Sequence, residues 1–98
     1  MSVSHPQIET HRWCCYVSGR VQGVGLRCAV QNIAMQYAVQ GFVRNLPDGR
    51  VQIVMEGPDV EMDQIMQSIH EKMDGFIRDV NIDQQPATGE FQRFSIRH

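Results

Sequence analysis

Three glycines within seven residues, Gly19, Gly23 and Gly25, separate an alternating segment from a helical one. Before them, Arg12 to Ser18 alternates and is rich in aromatic and β-branched residues, the signature of a strand. After them, Leu26, Ala29, Val30, Ile33, Ala34 and Tyr37 recur at helical spacing, so 26–38 reads as a helix. A glycine-rich turn between strand and helix exposes backbone N–H groups, and the helix N-terminus adds partial positive charge. Together they form a site for a small anion. Arg27, at the helix start, can add two parallel charge-assisted hydrogen bonds to phosphate oxygens. The segment therefore reads as a pocket for one phosphoryl group. From spacing alone it equally suits a plain connection whose glycines serve backbone geometry. No Gly-Lys-Ser/Thr follows, and no glycine stands three residues after Gly25, so neither the Walker nor the dinucleotide fingerprint is complete.

The rest of the chain fixes the fold class. Val39 to Leu46 and Arg50 to Glu56 read as two strands joined by the tight turn Pro47-Asp48-Gly49, a hairpin. Gly57-Pro58 is expected to break the second of them. Asp59 to Met73 carries Met62, Ile65, Met66, Ile69 and Met73 on one stripe, a helix that stops at Gly75. Asp59, Glu61 and Asp63 near its start, and His70 and Lys72 near its end, suit the helix dipole. Phe76 to Gln84 reads as a strand, 85–89 as a loop, and Phe91 to Arg97 as holding a short last strand. The order is that of an α+β, ferredoxin-like βαββαβ fold. It predicts a largely antiparallel sheet, two helices on one face and a short extra C-terminal strand. Trp13, Cys15 and Val17 are expected to face the core.

Ninety-eight residues make one domain, expected over 12–98, with 1–11 as a flexible N-terminal tail. A net charge of −2 gives no basic footprint for nucleic acid. No apolar run approaches a membrane span, and no signal peptide is visible, so a cytoplasmic protein is expected. Cys14, Cys15 and Cys28 are odd in number and lack zinc spacing. They read as reduced thiols acting as small buried hydrophobes, with Cys14 and Cys15 on opposite faces of one strand.

A second segment, Gly41-Phe-Val-Arg-Asn45-Leu-Pro-Asp-Gly49-Arg-Val51, is followed by Gly57. Together with Gly19-Arg-Val-Gln-Gly-Val-Gly-Leu-Arg27, it makes the chain closely resemble the acylphosphatases, small enzymes that hydrolyse carboxyl-phosphate anhydrides. The resemblance runs from about Trp13 to His98 and includes Phe94-x-Ile96. It implies that Arg27 binds the phosphoryl group and that the backbone N–H groups of Val21, Gln22, Gly23, Val24, Gly25 and Leu26 cradle it. It further implies that Asn45 positions the attacking water, and that inorganic phosphate or sulfate inhibits. No metal and no cofactor are implied, and the partner is a small-molecule acyl phosphate, with no nucleic acid and no membrane. A monomer is expected. A noncatalytic module binding phosphate or carbamoyl phosphate is the alternative; acylphosphatase-like domains also occur at the N-terminus of hydrogenase maturation proteins that handle carbamoyl phosphate. A third possibility, an RNA-binding ferredoxin-like domain, needs aromatic residues on the central strands, and Arg50 to Glu56 has none.

The family usually has an aromatic residue before the arginine, where this chain has Leu26; its side chain is expected to pack under the loop. Arg20 reads as a solvated loop cation rather than a second phosphate ligand. Asn45 also stands where a residue capping the turn would stand. His5, His11, His70 and His98 lie outside both motifs and are assigned no catalytic or metal-binding role.

Overall fold

The computed structural model describes residues 9–98; residues 1–8, which fall within the expected tail, lie outside the described part. The elements run β1 (Thr10–Gly19), α1 (Leu26–Ala34), β2 (Gln40–Asn45), β3 (Val51–Pro58), α2 (Asp59–Lys72), β4 (Ile77–Pro86) and β5 (Phe94–Arg97). They form one sheet in the order β4-β1-β3-β2-β5, in which all pairings but one are antiparallel. The exception is β5, which lies parallel to β2. This is the expected α+β, ferredoxin-like arrangement.

Alternation decides which face of the sheet is covered. Cys15 and Val17 on β1, Val43 on β2, and Val51, Ile53 and Met55 on β3 point one way. They meet Leu26, Val30 and Ala34 of α1 and Met62, Ile65 and Ile69 of α2 in a single core. Trp13 is half-buried against the same cluster. Burying a large aliphatic side chain contributes about 1.5–3 kcal/mol, so this layer is what fixes the register of the strands.

The opposite face carries a smaller polar layer. Gln52 and Glu56 of β3 are buried there. Glu56 stands 3.0 Å from Arg12 Nε. It also accepts from Thr88 Oγ1 at 2.8 Å and from the N–H groups of Thr88 (3.0 Å) and Gly89 (2.8 Å). Arg12 lies over the Phe91 ring, which packs edge-on against Phe42. These contacts hold the segment between β4 and β5 down on the sheet.

Several boundaries differ from expectation. β1 begins at Thr10, so two residues of the expected tail belong to the sheet. That longer β1 also keeps β3 paired through Gly57 and Pro58, opposite His11 and Thr10, where a break was expected. Pro58 is tolerated because it is the last ladder position, where its missing N–H costs little. β4 likewise continues through Gln85 and Pro86, opposite Arg12 and His11. Helix α1 ends at Ala34 rather than Ala38: Gln36 and Tyr37 donate three residues back, to Ile33 and Ala34, and the last turn tightens out of the α-helix. The freed Ala38 N–H is taken by Glu61 Oε1 at 2.9 Å, a tertiary contact with α2.

Candidate active site

The first motif folds as a bend between β1 and α1. At its entry, Gly19 passes so close to β4 that a Cβ would sit 2.3 Å from Phe76 O, and the β1–β4 ladder shifts register there. Arg20 N–H then donates to Phe76 O at 2.8 Å, while the Arg20 residue is exposed, as expected of a solvated cation. Residues 22–25 close no hydrogen-bonded turn. Gly25 is the N-cap of α1 with φ 80°, the left-handed region that glycine enters without penalty. The first intrahelical bond runs from Ala29 N to Gly25 O at 3.0 Å. The N–H groups of Leu26, Arg27 and Cys28 precede it and have no helical acceptor.

The first turn of α1 carries nothing that neutralises this helix end. Gly25 offers no side-chain cap and the first turn of α1 has no acidic residue. The contrast is α2, whose first turn carries Asp59 and Glu61. The positive end of the α1 dipole is therefore left for an external anion.

The second motif delivers Asn45 as the last residue of β2, paired with Val51. The turn that follows is closed without it. Leu46 N donates to Arg50 O at 2.8 Å, and Asp48 Oδ1 accepts from Arg50 N at 3.0 Å. Asp48 also pairs with Arg50 Nε at 2.8 Å. These contacts, the Arg50 N–H foremost, hold the Asp48 carboxyl below the usual carboxylate range. Capping is thus done by Asp48. Among the described residues, the Asn45 amide has no hydrogen bond to protein and stays available.

The two motifs converge on a pocket of about 100 Å³ lined by Val21, Gly23, Gly25, Leu26, Arg27, Cys28 and Asn45. That is well below the ~300–1,000 Å³ of pockets that enclose drug-sized ligands. Of the seven expected phosphate-binding residues, Val21, Gly23, Gly25, Leu26 and Arg27 line it; Gln22 and Val24 do not. Val24 is 37% exposed. Gln22 turns away, and its Nε2 donates to Leu46 O at 2.8 Å and Arg50 O at 3.0 Å. Leu26 is buried in the core beneath the loop, at 1% exposure, as expected of the residue replacing an aromatic one. A larger groove of about 400 Å³ between α2 and β4 is lined mainly by Met66, Ile69, Ile77, Val80 and Ile82, and offers no guanidinium or unpaired helix start.

Two findings lie outside the sequence reading. Cys28 is exposed and lines the pocket, so it is not the small buried hydrophobe expected of it. Position 28 is on the first turn of α1, whose inward positions are Leu26, Ala29 and Val30. Only Cys15 is fully buried, and burial above all pushes its thiol up to about 12. Secondly, His98 meets the site: its Nδ1 stands 3.3 Å from Arg27 Nη1. No local signal marks it, because it arrives through the pairing of β5 with β2.

Among the described residues no group of three or more His, Cys, Asp or Glu side chains is placed to hold a metal ion, and no helix is long and apolar enough to cross a membrane.

The chain is similar in sequence and in fold to known proteins. The acylphosphatase family model matches residues 13–96. The acylphosphatase of Rubrobacter xylanophilus is 40% identical over 90 residues, 91% of this chain and 82% of that protein. That of Marinobacter nauticus is 40% identical over 89 residues, 90% of this chain and 97% of that protein. The crystal structure of the Bacillus subtilis acylphosphatase superposes with a TM-score of 0.83 at 31% identity, over 90% of this chain and 99% of that one.

Proposed function

The chain belongs to the acylphosphatase family and hydrolyses the carboxyl-phosphate bond of acyl phosphates, and we propose that it does so in the pocket between Arg27 and Asn45. The observation that carries this reading is the convergence of the two motifs on one small pocket at an uncapped helix start.

Arg27 and the N–H groups of the 21–26 loop bind the phosphoryl oxygens. The guanidinium is a cation whose planar fork matches two oxygens at once. The Asn45 amide accepts a hydrogen bond from water through its oxygen and donates to a phosphoryl oxygen through its nitrogen. Water attacks phosphorus in line, and the bond from phosphorus to the acyl oxygen breaks. The carboxylate leaves with the electron pair, and the water's proton passes to a phosphoryl oxygen. A carboxylate is a good leaving group, so no general acid is required. Positioning and charge stabilisation carry the catalysis.

Inorganic phosphate and sulfate bind the same cradle as competitive inhibitors, since they present the same tetrahedral oxygens. The enzyme is proposed to act as a monomer. The free thiols Cys14, Cys15 and Cys28 fit a reducing, cytoplasmic compartment.

The test compares benzoyl phosphate with p-nitrophenyl phosphate, both in EDTA, with the Arg27→Gln variant as control. Hydrolysis of the acyl phosphate alone, lost in the variant, is expected. Comparable rates on the monoester, or full activity in Arg27→Gln, would overturn the assignment of the site.

A further inference from the structure

The pairing of β5 with β2 brings a histidine to the proposed phosphate-binding arginine. The parallel ladder ends at Arg44 opposite Arg97. One residue further along each strand stand Asn45 and His98, and the His98 ring reaches Arg27, with Nδ1 3.3 Å from Nη1. His98 thus touches Arg27 and stands one position past the last ladder pair, on the side of the sheet end that also carries Asn45.

The chemistry of this contact fixes its proton. A guanidinium has only donors, so Nδ1 must be the acceptor and the ring proton must sit on Nε2. Arg27 has five N–H groups. Giving one to His98 leaves enough for a two-pronged grip on a phosphoryl group. What the contact removes is rotation of a long side chain that is only half-buried and has no other side-chain partner among the described residues. An arginine held before the ligand arrives binds more tightly, because less freedom is lost on binding.

We propose that His98 is a positioning residue: in its neutral form it orients Arg27 toward the phosphoryl pocket, and protonation of its ring releases that arginine. This rests on the assignment of Arg27 as the phosphoryl ligand. A protonated ring has no acceptor on Nδ1 and sets a second cation against the first.

Few other charges bear on the ring. The elements packed against β5 are α1 and β2. From α1 come Arg27, in contact, and its neighbour Cys28, a thiol lining the same pocket. From β2 comes Arg44, whose Nε is turned to Gln52 at 2.7 Å on the opposite face of the sheet. On β5 itself, Arg97 lies over the Phe42 ring, 3.8 Å from its centroid. Among the described residues no carboxylate side chain is within ion-pair distance of His98.

The experiment is sulfate titration, because the charge of sulfate stays constant over the pH range used. Wild type, His98→Asn, His98→Phe and Arg27→Gln are compared, each shown to be folded by circular dichroism. An Asn side-chain oxygen can stand near the place of Nδ1 and does not titrate. At pH 8, His98→Phe should bind sulfate about tenfold more weakly, the scale of one lost hydrogen bond to a charged group. His98→Asn should recover most of that loss. Between about pH 8 and pH 5, where imidazoles take up a proton, wild type should lose affinity and His98→Asn should not. Equal affinity in His98→Phe and wild type, or the same pH dependence in His98→Asn, overturns the positioning role. Unchanged sulfate binding in Arg27→Gln would instead overturn the assignment of Arg27, so the two failures are distinct.

Discussion

Gln22 Nε2 donates to Leu46 O at 2.8 Å, and the same amide donates to Arg50 O at 3.0 Å. The two carbonyls flank the hairpin turn that begins just after Asn45. One side chain of the first motif thus fastens the second motif to it, and the distance from cradle to Asn45 is set by a side-chain brace as well as by the sheet. The expectation that Gln22 serves the phosphate through its backbone assigned no task to its amide.

Removing that brace should cost rate more than stability. In Gln22→Ala the fold should lose under about 1 kcal/mol, because the amide is exposed and water can donate to the two carbonyls in its place. The catalytic constellation should loosen, lowering kcat/KM on benzoyl phosphate by about tenfold, since small misplacements of positioned groups are costly. Urea unfolding and steady-state kinetics on the same preparation check both halves. A large stability loss with unchanged kcat/KM would make Gln22 structural only.

What the sequence made legible follows the reach of each signal. Alternation along Cys15 and Val17, and the helical stripes of α1 and α2, are local, and the core they imply is the one observed. The glycine-rich bend and Arg27 are local too. Strand ends are not. β3 runs on through Pro58 only because β1 starts at Thr10 and offers a partner, and proline signals a break when read without that partner. His98 and Cys28 were missed for related reasons. One reaches the site through long-range strand pairing, and the other faces outward because of the angle its position takes on α1.

Acid should unfold the protein partly through Glu56. Burial raises its carboxyl, but the Thr88 hydroxyl, the N–H groups of Gly89 and Thr88, and the Arg12 charge outweigh that and hold it below the usual range. Its folded value thus lies below its unfolded one. The stability it contributes is complete above the unfolded value and is lost as pH falls through the folded one. Glu56→Gln should cost about 2 kcal/mol at pH 7, the scale of breaking a hydrogen-bonded charge pair. Below the folded value the variant and wild type should converge. Urea unfolding at stepped pH measures this, and a constant gap at every pH would show that the charge of Glu56 is irrelevant.

Thiol reagents should find Cys28 before Cys15. Cys28 is exposed at the pocket rim, whereas Cys15 is fully buried with its thiol pushed up to about 12. The reactive species is the thiolate, so Cys15 stays inert in the folded protein. Stoichiometric iodoacetamide should therefore label Cys28 and reduce both turnover and phosphate binding, by filling space in a pocket of about 100 Å³. Cys28→Ala should keep its turnover and resist the reagent. Loss of turnover in Cys28→Ala, with phosphate binding intact, would point instead to a thiol acting in the chemistry.

Arg27 and Asn45 line one pocket, yet their substitutions should separate in kinetics. The Arg27 charge meets the phosphoryl group from the first encounter to the transition state, so Arg27→Gln should lose phosphate binding and turnover together. Asn45 carries no charge, and its amide, unpaired among the described residues, is proposed to act on the attacking water. Without it the water is poorly placed while the ground-state complex keeps its cradle. Asn45→Ala should lower kcat by about two or more orders of magnitude, the scale of removing one preorganised polar group. Its phosphate affinity should change far less, the mark of an interaction made chiefly in the transition state. Arg27→Lys should remain badly impaired, because an ammonium lacks the planar fork. The measurements are kcat on benzoyl phosphate and direct phosphate titration of folded variants. Near-normal kcat in Asn45→Ala, or loss of phosphate binding as complete as in Arg27→Gln, would remove the water-positioning role from Asn45.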